Sequence, residues 1–222
     1  MSEAERLAAS RRFGEVMAQR RSIRHFSTGP VPRELIDNAI RAAASAPSGA
    51  NLQPWTFVVV SDPETKKAIR DAAEAEEREG YEHRMSREWL AALAPLGTSW
   101  QKPMLTDAPY LIVVFEQTHG LHADPGGTTR RVKHYYARES VGIAVGFLLA
   151  SLTHGGLATL THTPSPMGFL ADILDRPKNE RAFVVIPVGY AAPGAVVPDI
   201  TRKALSDVLV EAPSVPAGRS ER

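Results

Sequence analysis

The stretch YLIVVF, Tyr110 to Phe115, is short, apolar and rich in β-branched residues, and it reads as a buried strand. WTFVVV, Trp55 to Val60, bounded by Pro54 and the Asp62-Pro63 pair, reads the same way, as does AFVVIPVGY, Ala182 to Tyr190. Outward from these strands the patterns are helical. Asp62 caps a helix running towards Gly80, and Glu139 to His154 forms a long apolar helix between the second and third strands. Pro32 opens another helix, with Leu35, Ile36, Ala39, Ile40 and Ala43 on one face, that stops before Pro47. Leu7, Phe13, Val16 and Met17, set among charges, predict an amphipathic helix over 3–19. HGLHADPGGTTRR, His119 to Arg131, is polar with Gly and Pro and reads as a loop. The class is mixed α and β, with no repeat or linker to divide it, so one domain is expected.

Of 222 residues 43% are hydrophobic, enough for a substantial core. Lys+Arg number 26 against 25 for Asp+Glu, so no global field gathers a polyanion, and no nucleic acid partner is expected. Cysteine is absent, which removes disulfides, thiolate nucleophiles and Cys-based metal sites and suits a reducing compartment. Redox chemistry would need a bound cofactor. The first twenty residues mix acids and bases with no continuous apolar core, so neither a secretory signal nor a membrane anchor is expected. Val141 to Leu152 is shorter than the roughly 20 residues of a bilayer span and reads as a buried helix. A soluble, cytoplasmic protein is expected, with no membrane partner.

RRSIRHF, Arg20 to Phe26, reads either as a solvated helix end or as a phosphate site, where planar guanidinium forks bind oxygens bidentately and Ser22 adds a hydroxyl. APSGANLQPW, Ala46 to Trp55, is an ordinary Pro/Gly connection or a turn whose glycine and free N–H groups allow a ligand close. TLTHTPSPMG, Thr159 to Gly168, is an edge strand or a polar ligand-facing loop. His162 has no second ligand at metal spacing and reads as a surface histidine, so no metal is expected. Glu77 and Tyr81 share a face if the helix continues past Gly80.

Taken together, RRSIRHF, APSGANLQPWTFVVV, EEREGYEHRM, SWQKPMLTDAPYLIVVF, HYYARESVGIAVGFLLASLTHGGL, THTP and PVGY with VPDITRK resemble the nitroreductase superfamily and, within it, the iodotyrosine deiodinase family, over roughly residues 10–210. RRSIR, PSGANLQPW and PVGY are shared by many nitroreductases, and the combination of Glu77, Tyr81 and Lys102 singles out the deiodinases. The resemblance implies an α+β sandwich, a central sheet flanked by helices, assembled as an intertwined homodimer with FMN at the subunit interface. It implies a single FMN-binding domain over 1–212 with a lid at about 74–105, while composition alone makes 213–222 a flexible tail. The mammalian membrane anchor has no counterpart.

The same resemblance places Arg20, Arg21, Ser22 and Arg24 at the FMN phosphate, met by Arg202, counts Ile23 among the cofactor-binding residues, and puts Pro47, Ser48 and Gly49 at the flavin ring or ribityl chain. Thr161, His162 and Thr163 match the hydroxyl-rich flavin segment, with Thr163 as the catalytic hydroxyl at flavin N5 and His162 departing from the usual threonine. Glu77 would take the ammonium of a halotyrosine, Tyr81 and Lys102 its carboxylate, and the Ala50 N–H its phenolate. A lid carrying both charges is expected to close well only when the substrate supplies their opposites. The implied reaction is reductive dehalogenation of 3-halotyrosines, with NAD(P)H, directly or through a reductase, as external donor. The alternative is a general NAD(P)H-dependent nitroreductase or flavin reductase, in which Glu77, Tyr81 and Lys102 are lid surface.

Overall fold

The computed structural model describes residues 1–123, 127 and 129–213. In chain order its elements are α1 (Glu3–Gln19), α2 (Arg33–Ala44), β1 (Trp55–Val60), α3 (Pro63–Glu79), α4 (Arg87–Leu93), α5 (Met104–Asp107), β2 (Tyr110–Gln117), β3 (His119–Ala123), β4 (Thr129–Lys133), α6 (Ala137–His154), β5 (Ala158–Thr159), α7 (Phe169–Ile173) and β6 (Glu180–Gly189).

The main sheet runs β1-β2-β6-β5, antiparallel throughout, with Val113 of β2 opposite Val58 on one side and Val185 on the other. Successive side chains of β2 leave opposite faces. Ile112 and Val114 pack with Ile36, Ala39 and Ala43 of α2 and with Val141, Ala144, Leu148 and Leu152 of α6. Leu111, Val113 and Phe115 pack with Ile69 and Ala73 of α3, Leu105 of α5 and Leu170 of α7. A strand covered on both faces needs an apolar residue at every position, which is why YLIVVF shows no alternation. Each such burial contributes roughly 1.5–3 kcal/mol. The expected helix-flanked sheet is therefore what this sequence builds.

Three expectations change. Where His119 to Arg131 is expected as a loop, its described residues include two strands: β3 and β4 pair antiparallel, with Leu121 opposite Arg131. These two strands form a sheet of their own, and β4 lies almost wholly exposed, so it carries no buried alternation. In α6, Ile143 and Phe147 are each 43% exposed beside the exposed Gly142 and Gly146, so only one side of the helix is buried. The helix α1 forms, but it buries no residue and leaves Leu7 and Phe13 about half exposed. Its start is fixed locally by a capping box in which Ser2 and Glu5 satisfy each other's N–H groups. Among the described residues no helix is long and apolar enough to cross a membrane. Of the expected tail, residues 214–222 lie outside the described residues.

Candidate functional site

RRSIRHF follows α1 and is zipped along the edge of the sheet. The Ile23 N–H donates to the Thr159 carbonyl at 3.0 Å, Phe26 bridges to Ala191, and the Ser27 N–H donates to the Tyr190 carbonyl at 2.9 Å. Gly189 makes room for this, because a Cβ there would stand 2.6 Å from Cδ of Pro109 and 3.4 Å from Phe26. Ile23 and Phe26 turn inward to pack with Met104, Ala108 and Leu160. Ile23 is thus turned away from the two cavities described below, and its backbone sets the register of its neighbours.

The polar residues of the stretch turn the other way. Arg20, Arg21, Ser22 and Arg24 line a cavity of about 150 Å3 together with Leu96, Pro198 and Arg202. Arg21 donates to the Pro198 carbonyl, and Arg202 donates to the carbonyls of Ala18, at 2.7 Å, and Arg20. These bonds pull the 197–202 segment onto the end of α1. No carboxylate is among the residues lining this cavity, so four guanidinium groups share it without an acidic partner. An anion with several oxygens suits that donor set, and the phosphate of FMN is such an anion.

Arg24 also lines a second cavity of about 190 Å3, which carries Glu77, Tyr81, Lys102, Thr161, His162 and Thr163 in one wall system. The helix α3 does not simply continue to Tyr81. After Glu79 the chain widens into one π turn over Gly80–Arg84, closed by the Met85 N–H on the Gly80 carbonyl at 2.9 Å. Gly80 is buried there, and a Cβ would come within 3.2 Å of Met85 Cε. Met85, Trp89 and Leu93 complete the wall. These three were not anticipated, although 77, 81, 85, 89 and 93 follow a spacing of four that the sequence displays.

Inside this cavity Glu77 Oε2 lies 3.2 Å from Lys102 Nζ, with side chains only 11% and 4% exposed. Lys102 also donates to the Ser99 carbonyl and stands 5.6 Å from the Tyr81 ring centroid. Burial pushes the Lys102 ammonium below its usual range, Glu77 opposes that shift, and Arg24 adds to it. The expectation that the two charges wait for a substrate's opposites is corrected: they meet each other. A buried charge is costly without a partner, and here the nearest opposite charge is the other half of the pair.

His162 is corrected as well. It is buried, with its backbone bonded to Val185 at 2.8 and 2.9 Å, while Thr161 and Thr163 stay exposed. The alternation of an edge strand thus continues beyond β5. Nε2 of His162 has no hydrogen-bond partner, and burial, aided by the nearby Lys102 charge, pushes the imidazole down to about 3. The group is a neutral polar one turned on a ligand-sized space, which suits the heteroatom edge of a flavin ring.

Pro47, Ser48, Gly49 and Ala50 line neither cavity. Their turn leans on the start of α6, where the Gly49 N–H reaches Ser140 Oγ at 3.4 Å, and Ser48 Oγ accepts the Gln53 N–H at 2.9 Å. A Cβ on Gly49 would stand 3.1 Å from the Tyr135 carbonyl oxygen, so glycine is what this approach tolerates. Ala50, Asn51 and Gln53 hold positive φ values of 51°, 55° and 47°, a strained run for residues with side chains. Within one chain these expected flavin and phenolate contacts are not assembled with Glu77, Tyr81 and Lys102.

Comparison with known proteins gives a consistent answer. The nitroreductase family model matches residues 17–190. A protein of Haliscomenobacter hydrossis named iodotyrosine deiodinase is 55% identical over 206 residues, covering 93% of this chain and 91% of that one. The zebrafish Danio rerio protein of the same name is 48% identical over 210 residues, covering 94% of this chain and 70% of its own. A crystal structure of oxidized iodotyrosine deiodinase bound to FMN and 3-iodo-L-tyrosine superposes with a TM-score of 0.76 at 31% identity, covering 91% of this chain and 100% of that one. With the match extending over most of the sheet, the arginine stretch and the π turn, the chain belongs to the nitroreductase family, and its similarity within that family is to the iodotyrosine deiodinases.

Proposed function

We propose that the chain is an FMN-dependent reductive dehalogenase of 3-halotyrosines. The observation that carries the reading is the buried Glu77–Lys102 pair in a cavity shared with Tyr81 and the Thr161–Thr163 strand end. An amino-acid ligand brings one ammonium and one carboxylate. Its ammonium replaces Lys102 at Glu77, and its carboxylate replaces Glu77 at Lys102 with help from the Tyr81 hydroxyl. The exchange keeps every buried charge paired while giving the ligand two charged contacts, and a halophenol, which leaves the Glu77–Lys102 pair as it is, gains neither of them. The named relatives and the FMN- and 3-iodo-L-tyrosine-bound structure support both the cofactor and the ligand.

Arg20, Arg21, Ser22, Arg24 and Arg202 hold the FMN phosphate in this reading, with Thr161, His162 and Thr163 beside the flavin ring. When bound and reduced, FMN supplies the two electrons that, with a proton, convert the carbon–halogen bond to carbon–hydrogen and release halide. Thr163 offers its hydroxyl proton to flavin N5. Closure of residues 74–105 over the cavity excludes water and strengthens each charged contact. A second copy of the chain supplies Pro47, Ser48 and Gly49 to the flavin and the Ala50 N–H to the phenolate oxygen, since one chain keeps them outside its own cavities. Reduction comes from NAD(P)H, directly or through a reductase. A cytoplasmic setting goes with this reading, because a cysteine-free chain is at home in a reducing compartment.

The test is ligand discrimination by the FMN-loaded protein, followed by flavin fluorescence. 3-Iodotyrosine is expected to bind far more tightly than 2-iodophenol, and Glu77→Gln to abolish most of the difference while simple nitroaromatic reduction continues. Equal affinity for the two ligands would favour a general nitroreductase.

A further inference from the structure

The face of α3 that points at α5 carries three polar residues at a spacing of four, and each grips the chain between 102 and 108. Lys66 donates to the carbonyls of Thr106 and Ala108 at 3.1 and 2.9 Å. Arg70 donates from Nη1 to Thr106 Oγ1 at 2.9 Å and from Nε to Glu74 Oε1 at 2.7 Å. Glu74, through the same Oε1, accepts the backbone N–H of Lys102 at 2.7 Å. Its side chain is 18% exposed, so the contact is largely shielded from water. Glu77 follows three residues later, close to one helical turn on.

We propose that Glu74 is a positioning residue for Lys102, and through it for the carboxylate end of the amino-acid ligand. The inference rests on the reading of Lys102 given above. One helix then sets both ends of the zwitterion site: Glu77 directly, and Lys102 through the carboxylate that holds its backbone. A carboxylate accepting an N–H makes a shorter and stronger bond than a neutral acceptor does, and Arg70 keeps that carboxylate aimed. Without it the backbone of Lys102 loses its tie to α3. The distance between the two ligand-binding charges is then no longer set by the helix.

The experiment compares the parent with Glu74→Ala, Glu74→Gln, Arg70→Met and Lys102→Gln, all FMN-loaded, with 3-iodotyrosine and 2-iodophenol as probes. Glu74→Ala is expected to weaken 3-iodotyrosine binding roughly ten-fold, the order expected for loss of one charge-assisted hydrogen bond. FMN retention and 2-iodophenol affinity should stay at the parent level, and in turnover KM should rise while kcat stays close to the parent's. Glu74→Gln, which retains an oxygen acceptor, should recover most of the affinity. Arg70→Met, which leaves the carboxylate but removes its anchor, should give a smaller loss of the same kind and serves if Glu74→Ala does not fold. If Lys102→Gln weakens 3-iodotyrosine while Glu74→Ala and Arg70→Met do not, or if those variants weaken both ligands equally, the positioning role is wrong. If Lys102→Gln itself leaves 3-iodotyrosine unaffected, the reading of Lys102 is wrong and the role of Glu74 falls with it.

Discussion

Glu77 and Lys102 hold each other's charge in a site largely closed to water, so removing one leaves the other buried and unpaired. In the absence of ligand, Lys102→Gln is expected to lower the unfolding free energy by about 3–5 kcal/mol, the cost typical of breaking a buried pair. Glu77→Gln with Lys102→Gln together should cost less than the two single changes added, because no orphan charge remains. Urea unfolding of the four proteins measures this, and strict additivity would mean that the pair carries no coupling. His162 gives a second residue-scale prediction. Its native value near 3 lies below the ordinary 6.5, so between these values the unfolded chain binds a proton that the native protein does not. Stability is therefore complete above the ordinary value and is lost as pH falls through that window, by up to about 1.4 kcal/mol per pH unit. His162→Thr should flatten this acid-side loss. Urea midpoints for parent and variant between about pH 7 and pH 4 test it, and parallel curves would show that the imidazole is solvated.

The elements place the site through a few close approaches, of which Gly189 is the tightest. Gly189→Ala would drive a Cβ into the rigid ring of Pro109, and either the end of β6 or the Arg20–Phe26 stretch must move. A loss of about 1–3 kcal/mol is expected, as for other overpacked positions. FMN retention should fall with it, because the arginines are registered by that strand end. A normal FMN content in a destabilised variant would separate the two effects. The strands β1, β2 and β6 and the helices α2 and α6 were legible because each buries a continuous face or both faces, and burial writes itself into the sequence. β3 and β4 were not, since their pairing is made by backbone groups that any side chain shares. The π turn at Gly80 was signalled only as a doubtful helix end, because a change of pitch depends on what packs against it. Taken alone the arginine stretch reads either as a solvated helix end or as an anion site, because only its meeting with Arg202 gathers the four guanidinium groups, and the burial of His162 was hidden by the two-residue length of β5, too short to show its period. The mutual pairing of Glu77 and Lys102 needs the two segments to meet, which no local pattern records.

At the scale of the whole molecule, the apolar side of α6 at Ile143 and Phe147 and the turn at 47–50 are both left without a use inside one chain. In the proposed homodimer a second copy takes up both. Ile143→Glu with Phe147→Glu is expected to give a monomer by light scattering that no longer retains FMN, since the turn contributed by the partner is lost with the interface; a monomeric parent, or an FMN-loaded monomeric variant, would contradict the shared site. The central claim is that this assembly removes halogen from tyrosine. The most direct measurement is to reduce the FMN-loaded protein without oxygen, add one equivalent of 3-iodotyrosine, and follow flavin reoxidation and free iodide together. The account predicts one iodide and one tyrosine released for each flavin reoxidised. Flavin that stays reduced in the presence of 3-iodotyrosine, yet reoxidises promptly with a nitroaromatic, would contradict it.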